Sequence, residues 1–102
     1  MSHQIEGEIV EWRGPAPYHF VFIGGDDAER IRELAREVTY GWGMIPVDAE
    51  IGADISWTTS LWPRLGGYML PIKDTVRSRA KVDLGDVIEV AITVRPRTRA
   101  GR

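Results

Sequence analysis

Apolar side chains recur at every second position through most of this chain, in short blocks separated by turns rich in glycine and proline. That is the spacing of strands, whose side chains alternate between two faces. The first block, QIEGEIVEW (4–12), alternates in part and runs into RGPAP, which no helix can pass through. YHFVFI (18–23) follows, with Tyr18, Phe20 and Phe22 on one face and His19, Val21 and Ile23 on the other, the pattern of a fully buried or barrel strand. The two blocks are expected to pair as a hairpin. The period then changes. In GGDDAERIRELAREV (24–38), Ile31, Leu34, Ala35 and Val38 form the stripe of an amphipathic helix, with Asp26 as N-cap and Glu29 as its capping-box partner.

Alternation resumes after TYGWG. MIPVDAEIG (44–52) sets Ile45, Val47, Ala49 and Ile51 against Pro46, Asp48 and Glu50, a half-exposed strand in which the proline marks an edge or a bulge. ISWTTSLW (55–62) sets Ile55, Trp57, Thr59 and Leu61 against Ser56, Thr58, Ser60 and Trp62. PRLGG turns the chain into YMLPI (68–72), KDTVRSRAK (73–81) is a short helix with Val76 and Ala80 facing the core, and DVIEVAITV (86–94) is the last strand. Six strands, one helix between the second and third and a short helix before the sixth predict a mainly β fold, a small closed antiparallel six-stranded β-barrel. A parallel sheet would need a crossover after nearly every strand. No internal repeat is visible.

With 102 residues, the chain is sized for one domain with one core, expected over 1–94 with an arginine-rich tail at 95–102. At 43% hydrophobic and 27% charged it has the balance of a folding globular chain and not of a disordered one. It contains no cysteine, so disulfides, thiolate zinc sites and cysteine nucleophiles are excluded. With no apolar run long enough to cross a bilayer and no secretory signal pattern, the expected setting is the cytoplasm, without membrane contact. The net charge of −2 conceals an asymmetry: residues 1–51 carry a net −6 and residues 52–102 a net +4. Arg95, Arg97, Arg99 and Arg102 supply much of the positive excess and read as a solvated tail.

Few constellations suggest chemistry. GGDDAER looks like a phosphate-binding helix entry, but Asp26, Asp27 and Glu29 crowd that terminus and would repel an anion. His3 and His19 are too few for a metal site without cysteine, so no metal or cofactor is expected. Ser60, His19 and Asp54 lack any strained nucleophile turn, so a catalytic triad is rejected and no catalytic residue is assigned. Of the four tryptophans, Trp57 falls in register with the core, whereas Trp62 falls on the polar face beside Pro63 and Arg64. Lys73, Arg77 and Lys81 stand at i, i+4 and i+8 if their segment is helical, a basic face able to hold an anion. The candidate ligand site is therefore Trp62, Arg64, Tyr68, Lys73 and Arg77.

SWTTSLWPRLGGYMLPIKDTVRSRAKVDLGDVIEV carries a Thr-Ser-Leu strand end, Pro-Arg, Gly-Gly-Tyr, Leu-Pro, an arginine in the following helix and Gly-Asp before the last strand. In these features it resembles the second half of the bacterial family catalogued as domain of unknown function 1905, and EGEIVEWRGPAPYHFVFI fits the first half. The resemblance implies a small closed β-barrel and no established activity. GYMLPIKDTVRSRAKVDLGDVIEV is also similar to the swapped-hairpin DNA-binding domains of the AbrB and MazE type, although Arg77 lies farther from Pro71 than in that pattern and the large upstream half has no counterpart there. The resulting expectation is a non-enzymatic module for a small anionic ligand or a protein partner. A swapped-hairpin DNA-binding regulator is the second reading, with nucleic acid disfavoured by the net charge, and an enzyme is the third. Two-fold homodimers being the commonest assemblies, a homodimer stays open.

Overall fold

The structure, a computed structural model, describes residues 2–12, 18–36, 38 and 43–95. The RGPAP turn, Trp42, Arg97, Arg99 and Arg102 lie outside the described residues. The elements are β1 (Ser2–Trp12), β2 (Tyr18–Ile23), α1 (Gly25–Leu34), β3 (Ile45–Ile51), β4 (Ile55–Arg64), β5 (Gly67–Ile72), α2 (Asp74–Ala80) and β6 (Val87–Val94). The strands close an antiparallel barrel in the order β1-β2-β5-β4-β3-β6. The fold expected from the alternation is the fold observed.

Closure depends on two long strands that each serve two neighbours. β1 pairs with β6 from Ser2 to Glu8 and with β2 from Ile9 to Trp12. β4 pairs with β3 from Ile55 to Leu61 and with β5 only from Trp62 to Arg64. β1 changes partner between Glu8 and Ile9, next to Gly7, where a Cβ would strike the Val21 side chain. The chain therefore consists of two successive units of long strand, short strand, helix and strand. Exchanging β1 with β4, β2 with β5 and β3 with β6 reproduces every strand pairing. This repeat is one of topology, and no repeated residues announce it.

The partner changes leave two splits in the wall, and a helix follows the short strand into each. α1 is tied back to β1 by a 2.9 Å contact between His3 Nε2 and Asp27 Oδ1 and buries Ala28 and Ile31. α2 packs on β4 and buries Val76. In the second split the indole N–H of Trp57 donates to the Pro71 carbonyl at 3.0 Å, standing in for the strand neighbour that β5 has lost. In an antiparallel strand a residue's N–H and C=O point the same way, so the proline sits where no neighbouring strand requires its missing donor. Pro46 solves the same problem at a strand end: its carbonyl accepts the Arg95 N–H at 2.9 Å, just beyond the last residue of β6.

The interior is filled by Ile5, Ile9, Val21, Ile23, Ile45, Val47, Ala49, Trp57, Leu61, Leu70, Val90 and Ile92. Among the described residues no polar or charged residue is buried. Two local expectations are corrected. The N-cap of α1 is Gly24 and no side chain caps it, because the helix begins a residue before Asp26, placing both aspartates inside the first turn. There both act on the helix dipole, and Asp27 also meets His3. The helix also ends at Leu34 rather than Val38, yet Ala35 remains buried and Val38 still packs against the core.

The expected PRLGG turn is shorter than its residues suggest. Pro63 and Arg64 continue β4, and the hairpin turns on Leu65 and Gly66 alone, with φ of 52° and 81°. Positive φ at both central residues is the requirement of a two-residue hairpin turn whose twist matches its strands. Gly67 is glycine for another reason: a Cβ there would overlap the Ile23 carbonyl oxygen and press on the Phe22 ring. Gly67→Ala is therefore expected to destabilise the protein by about 2 kcal/mol, the scale of an overpacked core site. Leu65→Asn, by contrast, is expected to stabilise it by about 0.5–1 kcal/mol, because asparagine tolerates the left-handed conformation better. Denaturant unfolding of the two variants checks both signs.

Candidate ligand-binding groove

The β4–β5 hairpin tip and α1 enclose an open groove of about 590 Å³ lined by Arg32, Gly43, Pro63, Arg64, Leu65, Gly66, Gly67 and Tyr68. Each contributor is placed by the local fold. Tyr68 follows the turn glycines and pairs across β2 with Ile23 and across β4 with Pro63, so its ring enters the barrel end and is buried. Arg32, on the last turn of α1, lies 5.6 Å over that ring. It donates to the Gly66 carbonyl at 3.2 Å and to Glu29 Oε2 at 2.9 Å. The hydrogen bond to Glu29, with Tyr68 second, raises the Arg32 pKa above its already high ordinary value. Arg32 is thus a permanently charged strap that fastens helix to hairpin.

Arg64 is held differently. Its guanidinium lies 4.8 Å over the Trp12 ring, a distance at which ring and cation attract. Among the described residues no carboxylate pairs with it. Leu65, 84% exposed at the tip, and Trp62, 47% exposed on the outer face, flank it.

Of the five residues expected to bind ligand, the structure brings Arg64 and Tyr68 together in this groove, with Trp62 next to them on β4. Lys73 and Arg77 stand apart. The expected basic helix face does not form, because α2 spans only Asp74–Ala80: Lys73 is its extended N-cap and Lys81 its left-handed C-cap. Arg77 alone is inside the helix, and it donates to Asp74 and to Asp83, each at 3.0 Å. His19 Nε2 lies 3.9 Å from the same Asp83 oxygen. The loop that Arg77 grips is pinned to β1 by Gly85 N–H to the Ile9 carbonyl and Ile9 N–H to the Asp86 carbonyl, both 2.9 Å. This second cluster fastens the loop before β6. Sequence reasoning missed Arg32, which lies one helix away from the hairpin; its position on α1 gave no sign that it reaches Gly66 and Tyr68.

Residues 6–92 match the family described as Domain of unknown function (DUF1905). The chain belongs to this family. No curated protein is similar enough to match. The DUF1905 match spans both topological units, from within β1 to within β6, so hairpin, groove and loop cluster all lie within the family's domain. Among the described residues no three histidine or acidic side chains gather as metal ligands, and no helix is long and apolar enough to cross a membrane.

The Asp83 cluster makes a pH prediction. The Leu84 N–H, 2.7 Å from Oδ1, and then Arg77 and His19 lower the Asp83 pKa below its ordinary 3.8. A carboxylate lowered on folding contributes stability above its unfolded pKa and loses it as pH falls through the folded value. Asp83→Asn is therefore expected to lower the melting temperature at pH 7, with the gap from wild type closing as pH falls below the ordinary carboxylate value. A gap that stays constant with pH removes the electrostatic account.

Proposed function

We propose that this DUF1905 chain is a non-enzymatic binding module that takes a small anion in the hairpin groove, with Arg64 as its principal holder. The observation that carries this reading is Arg64 itself, a guanidinium resting 4.8 Å over the Trp12 ring at the groove's rim with no carboxylate partner among the described residues. Stacking fixes the plane of the fork at little further entropic cost and leaves its donors free for a carboxylate or phosphate. Arg32 adds a second positive charge, partly offset by Glu29. Lys73 and Arg77, named with them from the sequence, have no part in this groove, and Arg77 already meets two carboxylates. The absence of cysteine from the chain supports a reducing compartment, and we place the protein in the cytoplasm.

The test is titration with inorganic phosphate, pyrophosphate and citrate, followed by tryptophan fluorescence, since Trp12 lies under the responding group. Wild type is expected to bind at least one of these. Arg64→Ala is expected to lose about ten-fold or more in affinity, the cost of a charge-assisted hydrogen bond. Arg64→Lys is expected to lose most of it as well, because an ammonium neither forks nor stacks in the same way. Equal affinity in Arg64→Ala and wild type overturns the assignment.

A further inference from the structure

Charge is segregated around the barrel wall. β1, β3 and β6 carry Glu6, Glu8, Glu11, Asp48, Glu50 and Glu89 and no lysine or arginine. β2, β4 and β5 carry Arg64 and no aspartate or glutamate at all. The pairings make β2-β5-β4 three adjacent strands, joined through Trp62–Arg64 on the β4 side, so the acid-free strands lie side by side. Its outer face carries an apolar rung formed by Phe22, Met69 and Trp62, which are directly opposite one another across the three strands. Met69 in the middle is buried, whereas Phe22 and Trp62 at the two ends are 37% and 47% exposed. Phe22 is held in place by glycine: its ring occupies the space a Cβ would need at Gly24 and at Gly67.

We infer that this face binds single-stranded nucleic acid, with bases stacked on Trp62 and Phe22 and a backbone phosphate on Arg64. The inference rests on the anion-holding reading of Arg64 given above. Two aromatic platforms two strands apart are separated by about 10 Å, and Trp62 and Arg64, two residues apart on one face, by about 7 Å. Those are the spacings of an extended polynucleotide, and stacking on aromatic rings with a nearby cation is how sequence-tolerant single-strand binders work. Charge complementarity selects the face. An anionic polymer is repelled by the carboxylate-bearing strands on the far side, whereas β2, β5 and β4 contribute no carboxylate of their own; the two that reach them, Asp83 at His19 and Asp48 at Thr58, meet positions three and four residues along the strands from Phe22 and Trp62. A duplex keeps its bases stacked on one another and has no ring to offer Trp62 and Phe22.

Fluorescence anisotropy of labelled ten-nucleotide oligo(U) and oligo(dT) at low salt tests the inference, with a duplex of equal length and an acidic, aromatic-rich peptide as competing probes. Binding of the single strands over the duplex is expected, weakening with salt at a shallow log–log slope of about −0.7 per phosphate contact. Trp62→Ala and Phe22→Ala are each expected to cost about ten-fold for the oligonucleotide. Both weaken the oligonucleotide far more than inorganic phosphate, whereas Arg64→Ala weakens both ligands. Trp62→Phe, which keeps a stacking ring, restores most of the affinity and separates stacking from folding. Oligonucleotide binding that is absent while phosphate still binds overturns this inference and spares the anion site. Loss of both ligands' binding in wild type overturns both. Equal binding of duplex, undiminished binding in the two aromatic variants, or binding of the peptide in place of the oligonucleotide also overturns it.

Discussion

Everything in this barrel follows from two strands that each have to satisfy two partners. β1 and β4 are long enough to leave one neighbour and join another, and that transfer allows six short strands to close on themselves. The cost is a split in the wall at each transfer, where backbone groups lose their ladder. The solutions differ in chemistry but not in logic: a helix enters each split, and at the second the Trp57 indole takes over a carbonyl that β4 has left. A buried carbonyl without a donor would cost on the order of 1–3 kcal/mol, so a single indole nitrogen is a structural member of the wall.

The same constraint builds the groove. Because β4 stays with β5 for only three residues, their hairpin is short, and its turn projects beyond the ladder with Leu65 and Gly66 both left-handed. α1, seated in the other split, reaches that turn through Arg32. The groove is therefore a meeting of the two topological units, with the strap from the first and the hairpin from the second. Arg64 stands at that junction with its own support, Trp12, from the first unit.

The period-two pattern was enough to read the strands, the helix and their order, because a barrel this small needs alternating burial in nearly every strand. Trp57 in the core and Trp62 outside were both legible from parity alone. What parity does not carry is which strands meet. The topological repeat was invisible because it lies in pairings and element lengths, while the residues of the two units differ. Arg32 was missed for the same reason, its partners being 34 and 36 positions away. The basic helix face failed on a detail of length: α2 is too short for Lys73 and Lys81 to be helical, and Asp74 and Asp83, which clamp Arg77, had been assigned no role.

Closure has a consequence for how such a protein meets others. Among the described residues every strand of the barrel has a strand neighbour on both sides, so little backbone edge is left for recognition by strand addition. Whatever it binds is read by side chains projecting from a rigid wall. Those side chains are held by glycines and rings rather than by the ladder. A relative can therefore exchange a residue such as Trp62 or Arg64 without disturbing a single hydrogen bond between its strands. A domain built this way keeps its architecture while its outer surface changes, and its function has to be sought position by position on the outside of the wall.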